Sequence, residues 1–390
     1  MYVHIPFCAK RCDYCAFATW TDRHHLHDSY LAALRADIER SLGRDVRDVR
    51  DVRDGRDWRD WRDWRDVQRP ATTVFVGGGT PTMVDPAGLA SVIAAIPRAP
   101  GAEVTVECNP DDVTPELLEI YLAAGVNRVS IGVQSMAPQV LVSLGRWHQP
   151  DNVVRAVEAV RAVGLPTWNM DLIYGGAGER LSDWEHTLRR AIELEPPHVS
   201  AYALTVEAGT PLASQPERHP DDDDLADKYE LADDLLTVAG LRNYEVSNWA
   251  RPGHESQHNR LYWLQHDYLG FGSAAHSHRA GRRWWNLRTP ERYIAAVEAD
   301  ESTEASGETL DRETRRMEGL QLALRMREGI PADSFDADDL ADLLGQAGQA
   351  GQAGQAGIEG IEGLVVVRDA RAMLTRRGRL LANEVSLRLR

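Results

Sequence analysis

Three cysteines crowd the start of the chain in the spacing Cys8-x3-Cys12-x2-Cys15, and thiols gathered this closely are first of all metal ligands. An ordinary iron–sulfur cubane is tied down by one thiolate per iron. Three cysteines on one loop hold three irons and leave the fourth without a protein ligand. Such a vacant corner can be chelated by the amino and carboxylate groups of S-adenosylmethionine, whose sulfonium an electron from the cluster would cleave. The competing reading is a structural zinc, with His4 completing the tetrahedron, or three thiols that merely pack. Zinc would leave unexplained a glycine turn, Gly77-Gly78-Gly79-Thr80-Pro81, and the acidic and amide residues that follow it. The fourth cysteine, Cys108, stands next to Glu107 and reads as a small buried side chain.

These residues need a scaffold that brings them to one place. Short β-branched runs at 2–5, 72–76, 104–107, 128–133, 167–173 and 198–204 alternate with amphipathic stretches at 30–42, 115–124, 152–163 and 184–194. Strand–helix alternation implies parallel pairing, because parallel neighbours need a helical crossover. The cysteine loop, the glycine turn, Glu107, Gln134, Asp171 and Ala203 each fall at or just beyond the C-terminal end of a successive strand. In a barrel those ends converge on one face, whereas an open doubly wound sheet would concentrate its ligands at a switch point. The fold expected is therefore α/β, a partial (β/α)6 barrel over 1–210. A connecting region, 211–290, and a mainly helical, winged-helix-like C-terminal domain, 291–390, would follow.

Two stretches read as low-complexity insertions without a catalytic role. Residues 44–66 repeat an Arg-Asp-x triplet that acquires Trp58, Trp61 and Trp64, and 345–363 repeats Gly-Gln-Ala and then Ile-Glu-Gly. A formal charge of -16 argues against a nucleic-acid partner, which needs a surplus of Lys and Arg. No apolar run approaches the roughly 20 residues of a membrane span. The cysteine motif follows Met1 too closely for a cleaved leader, so a reducing cytoplasm is the expected location.

With these residues assembled, the chain resembles the radical SAM superfamily. Within it, the resemblance is to the group of oxygen-independent coproporphyrinogen III oxidases and their heme-chaperone relatives. It runs through residues 2–8, Gly77 to Pro81, Glu107-Cys108-Asn109-Pro110, Gly132-Val133-Gln134, Asp171-Leu172-Ile173-Tyr174-Gly175 and His258-Asn259-Arg260-Leu261-Tyr262-Trp263. The resemblance implies a [4Fe–4S] cluster on Cys8, Cys12 and Cys15, with S-adenosylmethionine flanked by Tyr2 and Tyr14. Gly78, Gly79 and Thr80 would admit its methionine part, Glu107, Gln134, Arg146 and Asp171 would bind its charged and ribose groups, and Ala203 would contact the adenine. The loop after Asp171 departs from the family in reading Gly175-Gly176-Ala177-Gly178-Glu179, where a Leu-Pro pair and a final Gln are more usual.

Phe17 stands where the oxidases are expected to carry a further cysteine, the chain begins at the cluster motif, and the His258-Asn259-x-x-Tyr262-Trp263 motif marks the chaperone branch. That branch implies heme as a bound ligand, apoprotein acceptors that include respiratory, membrane-associated ones, and an electron donor; a homodimer is left open. His258 is the candidate heme contact, with Tyr262 and Trp263 as aromatic surface, against the alternative of a buried His–Asn pair that shapes its loop. No residue is assigned as catalytic. The other outcome is an oxidase that decarboxylates the propionates of coproporphyrinogen III by radical chemistry. His24, His25 and His27 read as a solvated helix entry, and His276 and His278 follow a glycine-rich stretch, Gly270 to Ala275, able to approach a ligand closely.

Overall fold

The computed structural model describes residues 1–43, 70–335, 358–360 and 363–389. The Arg-Asp-x triplets and the Gly-Gln-Ala repeat lie outside the described residues.

Each of the six expected strands forms: β1 (Tyr2–Ile5), β2 (Ala71–Gly78), β3 (Arg98–Cys108), β4 (Arg128–Gln134), β5 (Thr167–Tyr174) and β6 (His198–Ala203). Between them run α1 (His27–Gly43), α2 (Pro86–Ala94), α3 (Pro115–Ala123), α4 (Pro138–Ser143), α5 (Pro150–Ala162) and α6 (Leu181–Glu193). Proline opens α2 to α5, where its missing N–H costs no hydrogen bond. Asp85 and Thr114 cap two of these helices by accepting from Gly88 N–H and Leu117 N–H.

Further on come α7 (Asp222–Val238), β7 (Arg242–Glu245), β8 (Asn248–Ala250), α8 (Gln257–Trp263) and β9 (Gly270–Phe271). The main sheet has nine strands in the order β7-β8-β6-β5-β4-β3-β2-β1-β9. From β1 to β6 spatial order follows chain order and every pairing is parallel. With no reversal of order, right-handed crossovers put all the helices on one face, and the sheet curls around the other. β9 continues parallel on one edge, while β8 and β7 turn antiparallel on the other. The ends do not join, so the barrel is partial.

Period-two alternation divides the strands cleanly. Val3, Ile5, Val74, Val76, Val104, Val106, Val129, Ile131, Met170, Leu172 and Val199 are buried in the core beneath the helices. The alternate positions, among them His4, Thr73, Glu107, Ser130, Asn169, Asp171, His198 and Ser200, face inward. The barrel thus has an apolar jacket and a polar lumen, whose buried groups must find partners in one another.

Beyond the barrel lie β10 (His276–Arg279), β11 (Arg282–Asn286), α9 (Pro290–Glu298) and β12 (Glu304–Thr309), the three strands forming an antiparallel sheet. The expected domain boundary at 290 falls inside this unit, and Tyr293 and Ile294 of α9 pack into the barrel's own core. A second core begins with α10 (Arg312–Ala323) and gathers Leu320, Leu324, Ile330, Phe335, Val365, Ala372 and Val385. The tail has the expected helices α10, α11 (Arg376–Leu380) and α12 (Ala382–Ser386). It also carries a four-stranded sheet of β13 (Ile330–Pro331), β16 (Arg371–Leu374), β15 (Val365–Arg368) and β14 (Ile358–Gly360). Strands this short offer too few alternations to be read as strands from sequence. Among the described residues no helix is long and apolar enough to cross a membrane.

Candidate functional site

The cysteine loop is a closed excursion from the end of β1. Phe7 is fully buried, Cys8 N–H donates to Trp20 O at 3.1 Å, and Trp20 N–H donates to Pro6 O at 2.8 Å, so both stems are fastened together. Inside the loop Cys15 N–H donates to Cys12 O at 3.2 Å. Further on, Leu212 N–H donates to Asp13 O at 3.0 Å, and Arg218 pairs with the Asp13 carboxylate at 2.9 Å while also donating to Ser143 O at 2.6 Å. Asp13 and Arg218 were not singled out in the sequence, since their pairing joins positions far apart in the chain.

All three thiols keep partial access to solvent. Burial pushes the Cys8 thiol up to about 11, opposed by the Thr80 hydroxyl and reinforced by the other two cysteines; burial also raises Cys15. Cys8 and Cys15 are therefore protonated when free, and a metal must displace their protons. Thr80 Oγ1 lies 3.8 Å from Cys8 Sγ and Arg146 Nη1 3.9 Å from Cys12 Sγ, so these two residues border the thiols directly. Among the described residues no three His, Cys, Asp or Glu side chains converge as ligands of a single ion. A cubane takes its thiolates at separate corners, so convergence on a point is not what its ligands require. Three soft donors on a pinned loop, bordered by a cation and a hydroxyl, fit such a cluster.

The glycine turn makes the loop's seat. Gly79 N–H donates to Ile5 O and Thr80 N–H to Phe7 O, both at 2.7 Å. Gly78 has φ +112°, and a Cβ there would lie 2.3 Å from His4 Nδ1; one on Gly79 would lie 2.5 Å from Phe7 O and 3.0 Å from Cys8 Sγ. What these glycines admit in this structure is β1 and the cysteine loop itself. His4, not expected in this role, completes the seat by hydrogen bonding through Nε2 to Ala18 O at 3.0 Å and through Nδ1 to the Tyr2 hydroxyl at 2.9 Å.

Below the loop the strand ends bring the other expected residues together. Gly78 N–H donates to Glu107 Oε2 at 3.0 Å. Burial and the nearby Asp171 carboxylate push Glu107 up to about 8, partly offset by that N–H. Asp171, raised by burial, accepts from Ser130 Oγ and Asn169 Nδ2 at 2.7 Å each. Two recessed carboxyls, with no lysine or arginine in hydrogen-bond contact among the described residues, suit a ligand's ammonium and hydroxyls. Gln134 adopts φ +60°, a left-handed conformation rare outside glycine, at the very end of β4. Arg146 donates to Gly132 O at 3.0 Å beside it.

The Tyr14 ring packs against a small apolar cluster of Ala137, Val140, Leu144, Ile173, Leu204 and Leu212, next to the end of β6 where Ala203 remains partly open. Tyr2 enters at the foot of β1 and lines the lumen below the loop.

His258 departs most from its expected role. Its Nδ1 lies 2.7 Å from Thr73 Oγ1 and its Nε2 2.9 Å from the Tyr262 hydroxyl, with the ring stacked on Phe75 at 5.2 Å. It is 1% exposed, and burial together with the chain's amino terminus lowers its pKa to about 3. Segment 251–263 closes the N-terminal mouth of the barrel, opposite the cysteines. Arg251 bonds to Pro197, Arg128 reaches His254 O, and the Glu103 carboxylate accepts from the N–H groups of Gln257 and His258. Trp263 at the end of the motif packs with Tyr244, Ala250 and Met326, joining barrel to tail. With both ring nitrogens engaged, His258 ties α8 to β2, as in the alternative of a buried histidine that shapes its loop.

Comparison with known proteins agrees with this geometry. The model of the radical SAM superfamily matches residues 2–191. A heme chaperone HemW from Mycobacterium tuberculosis is 38% identical over 343 residues, covering 85% of this chain and 82% of that protein. Heme chaperone HemW from Escherichia coli is 38% identical over 285 residues, covering 71% of this chain and 69% of its own. The solved structure of coproporphyrinogen III oxidase (HemN) from Escherichia coli superposes with a TM-score of 0.78 at 23% identity, covering 100% of this chain and 89% of that one. Radical SAM membership implies a [4Fe–4S] cluster and S-adenosylmethionine. By its cysteine loop, its barrel and these relatives, the chain belongs to the HemW family of the radical SAM superfamily.

Proposed function

We propose that this protein is a heme chaperone that captures heme and passes it to an acceptor apoprotein, using a radical SAM site as part of its machinery. Cys8, Cys12 and Cys15 would hold the cluster. Glu107 and Asp171 would receive the ammonium and ribose hydroxyls of S-adenosylmethionine, with Gln134 and Arg146 beside them and Tyr14 and Ala203 toward the adenine. When bound, the cluster supplies a low-potential electron at its open iron. The chain's own residues seat the loop, keep the lumen polar and exclude bulk water from the N-terminal mouth. The observation that carries the reading is extended identity to proteins named heme chaperones, combined with three cysteines poised over a polar lumen. Phe17, at the position of the oxidases' expected extra cysteine, is 65% exposed.

Anaerobic reconstitution followed by parallel assays tests it. The expected result is iron and sulfide bound in cubane proportion, stoichiometric capture of hemin, and no consumption of coproporphyrinogen III. Decarboxylation of that substrate would establish the oxidase instead, and zinc without sulfide would remove the cluster. A cytoplasmic setting, acceptors of the respiratory chain and an external electron donor belong to the same proposal.

A further inference from the structure

With both His258 nitrogens engaged, the chain's other histidines are candidates for a ligand to heme iron. His198 binds Asn169 Oδ1 at 2.6 Å and the Tyr244 hydroxyl at 2.8 Å; both His4 nitrogens are occupied, and His148 is tied to Val133 O. His25, His186 and His266, like His276, make no ring hydrogen bond among the described residues, but of these four only His276 is stacked on an aromatic ring. It is exposed at the first position of β10, and its ring makes no hydrogen bond among the described residues. Directly across the ladder stands Trp285, whose ring stacks on the imidazole at 5.7 Å between centroids and 29° between planes. Stacking fixes the plane of the ring, as an axial ligand requires.

The backbone beneath His276 is held stiffly. A Cβ on Gly270 would lie 2.1 Å from His276 O, and one on Gly272 would lie 2.6 Å from both His4 O and the Tyr30 hydroxyl. Tyr30 donates to His4 O and accepts from Ser273 N–H, while Asn286 Nδ2 donates to Gly272 O at 2.9 Å. Ala274 sits at φ +56°, a conformation that costs a residue with a side chain and persists only where its surroundings impose it. This loop follows β9, the barrel's open edge beside β1, and His276 is close enough to His4 to perturb it electrostatically. His4 in turn holds the cysteine loop through Ala18. Partial burial and the Arg283 guanidinium lower the His276 pKa, so a neutral imidazole is available near pH 7.

We propose that His276, stacked on Trp285 at the open edge of the barrel, is the axial ligand of heme iron, and that the β10–β11 surface beside β9 receives the macrocycle. This rests on the heme-chaperone reading. The test is hemin titration of the full-length, anaerobically reconstituted chain, followed by visible absorption and electron paramagnetic resonance. In wild type an imidazole-ligated spectrum is expected. His276→Ala should lose it and recover it on addition of free imidazole, Trp285→Leu should weaken capture, and His258→Gln should keep the wild-type spectrum. Should His276→Ala fail to fold, as judged by cluster content, the isosteric His276→Gln takes its place with the same expectation. A wild-type spectrum in the His276 variants would overturn the assignment while leaving heme capture standing. Absence of capture by wild type would overturn the chaperone reading and this assignment together.

Discussion

Alanine at Gly78 introduces two separate penalties whose sizes follow from the structure. The backbone at φ +112° is closed to a residue with a Cβ, and holding such a conformation costs about 1–3 kcal/mol. The new methyl would also overlap His4 Nδ1, 2.3 Å away, so the ring must leave its position. Its hydrogen bonds to Tyr2 and Ala18 would then be lost, at about 0.5–1.5 kcal/mol each. Gly78→Ala should therefore destabilise the chain by roughly 2–6 kcal/mol and release the cysteine loop. In a His4→Ala background the overlap disappears and only the backbone penalty of about 1–3 kcal/mol remains. Denaturant unfolding of the metal-free chain, with iron and sulfide content after reconstitution, reads both effects across the four-member cycle. Equal destabilisation by Gly78→Ala with and without His4 would refute the idea that His4 and the glycine turn jointly seat the loop.

Three further outcomes are expected. Lys228 is fully buried against Glu179 and Asp224, so Lys228→Met should cost about 3–5 kcal/mol by stranding the buried Glu179 carboxylate, and adding Glu179→Gln should recover much of it in thermal or denaturant unfolding. Because Glu107 binds its proton more tightly folded, at about 8, than unfolded, at its ordinary value of 4.5, the metal-free chain should lose stability as pH rises from about 4.5 to 8. Glu107→Gln should flatten that dependence, and an unchanged pH profile would show that the carboxyl is better solvated than its burial implies. His258→Ala should destabilise the chain by about 1–3 kcal/mol through the unpaired Thr73 and Tyr262 hydroxyls, with the absorption spectrum of bound hemin unaltered.

Much of the site was legible before any coordinates because its information is local. Strand alternation and helical period are written in neighbouring residues, and in a parallel barrel every βα junction lies on the same face. Glu107, Gln134 and Asp171 could thus be assigned to one mouth from their positions at strand ends alone. Cys8, Cys12 and Cys15 needed only one loop to be brought together.

What the sequence left open depends on which end of a lumen a residue occupies and on what stands opposite it. His258 meets Thr73 across 185 positions of chain, and no periodicity encodes that pairing. Asp13 meets Arg218 by the packing of loops, and His276 meets Trp285 by the register of a ladder. The sequence by itself determined the cysteine spacing, the α/β alternation and the common face, because those follow from bond geometry and side-chain period. Curvature of the sheet, a long-range property of packing, decided which histidine is walled in at the closed mouth and which stands exposed against Trp285 at the sheet's edge.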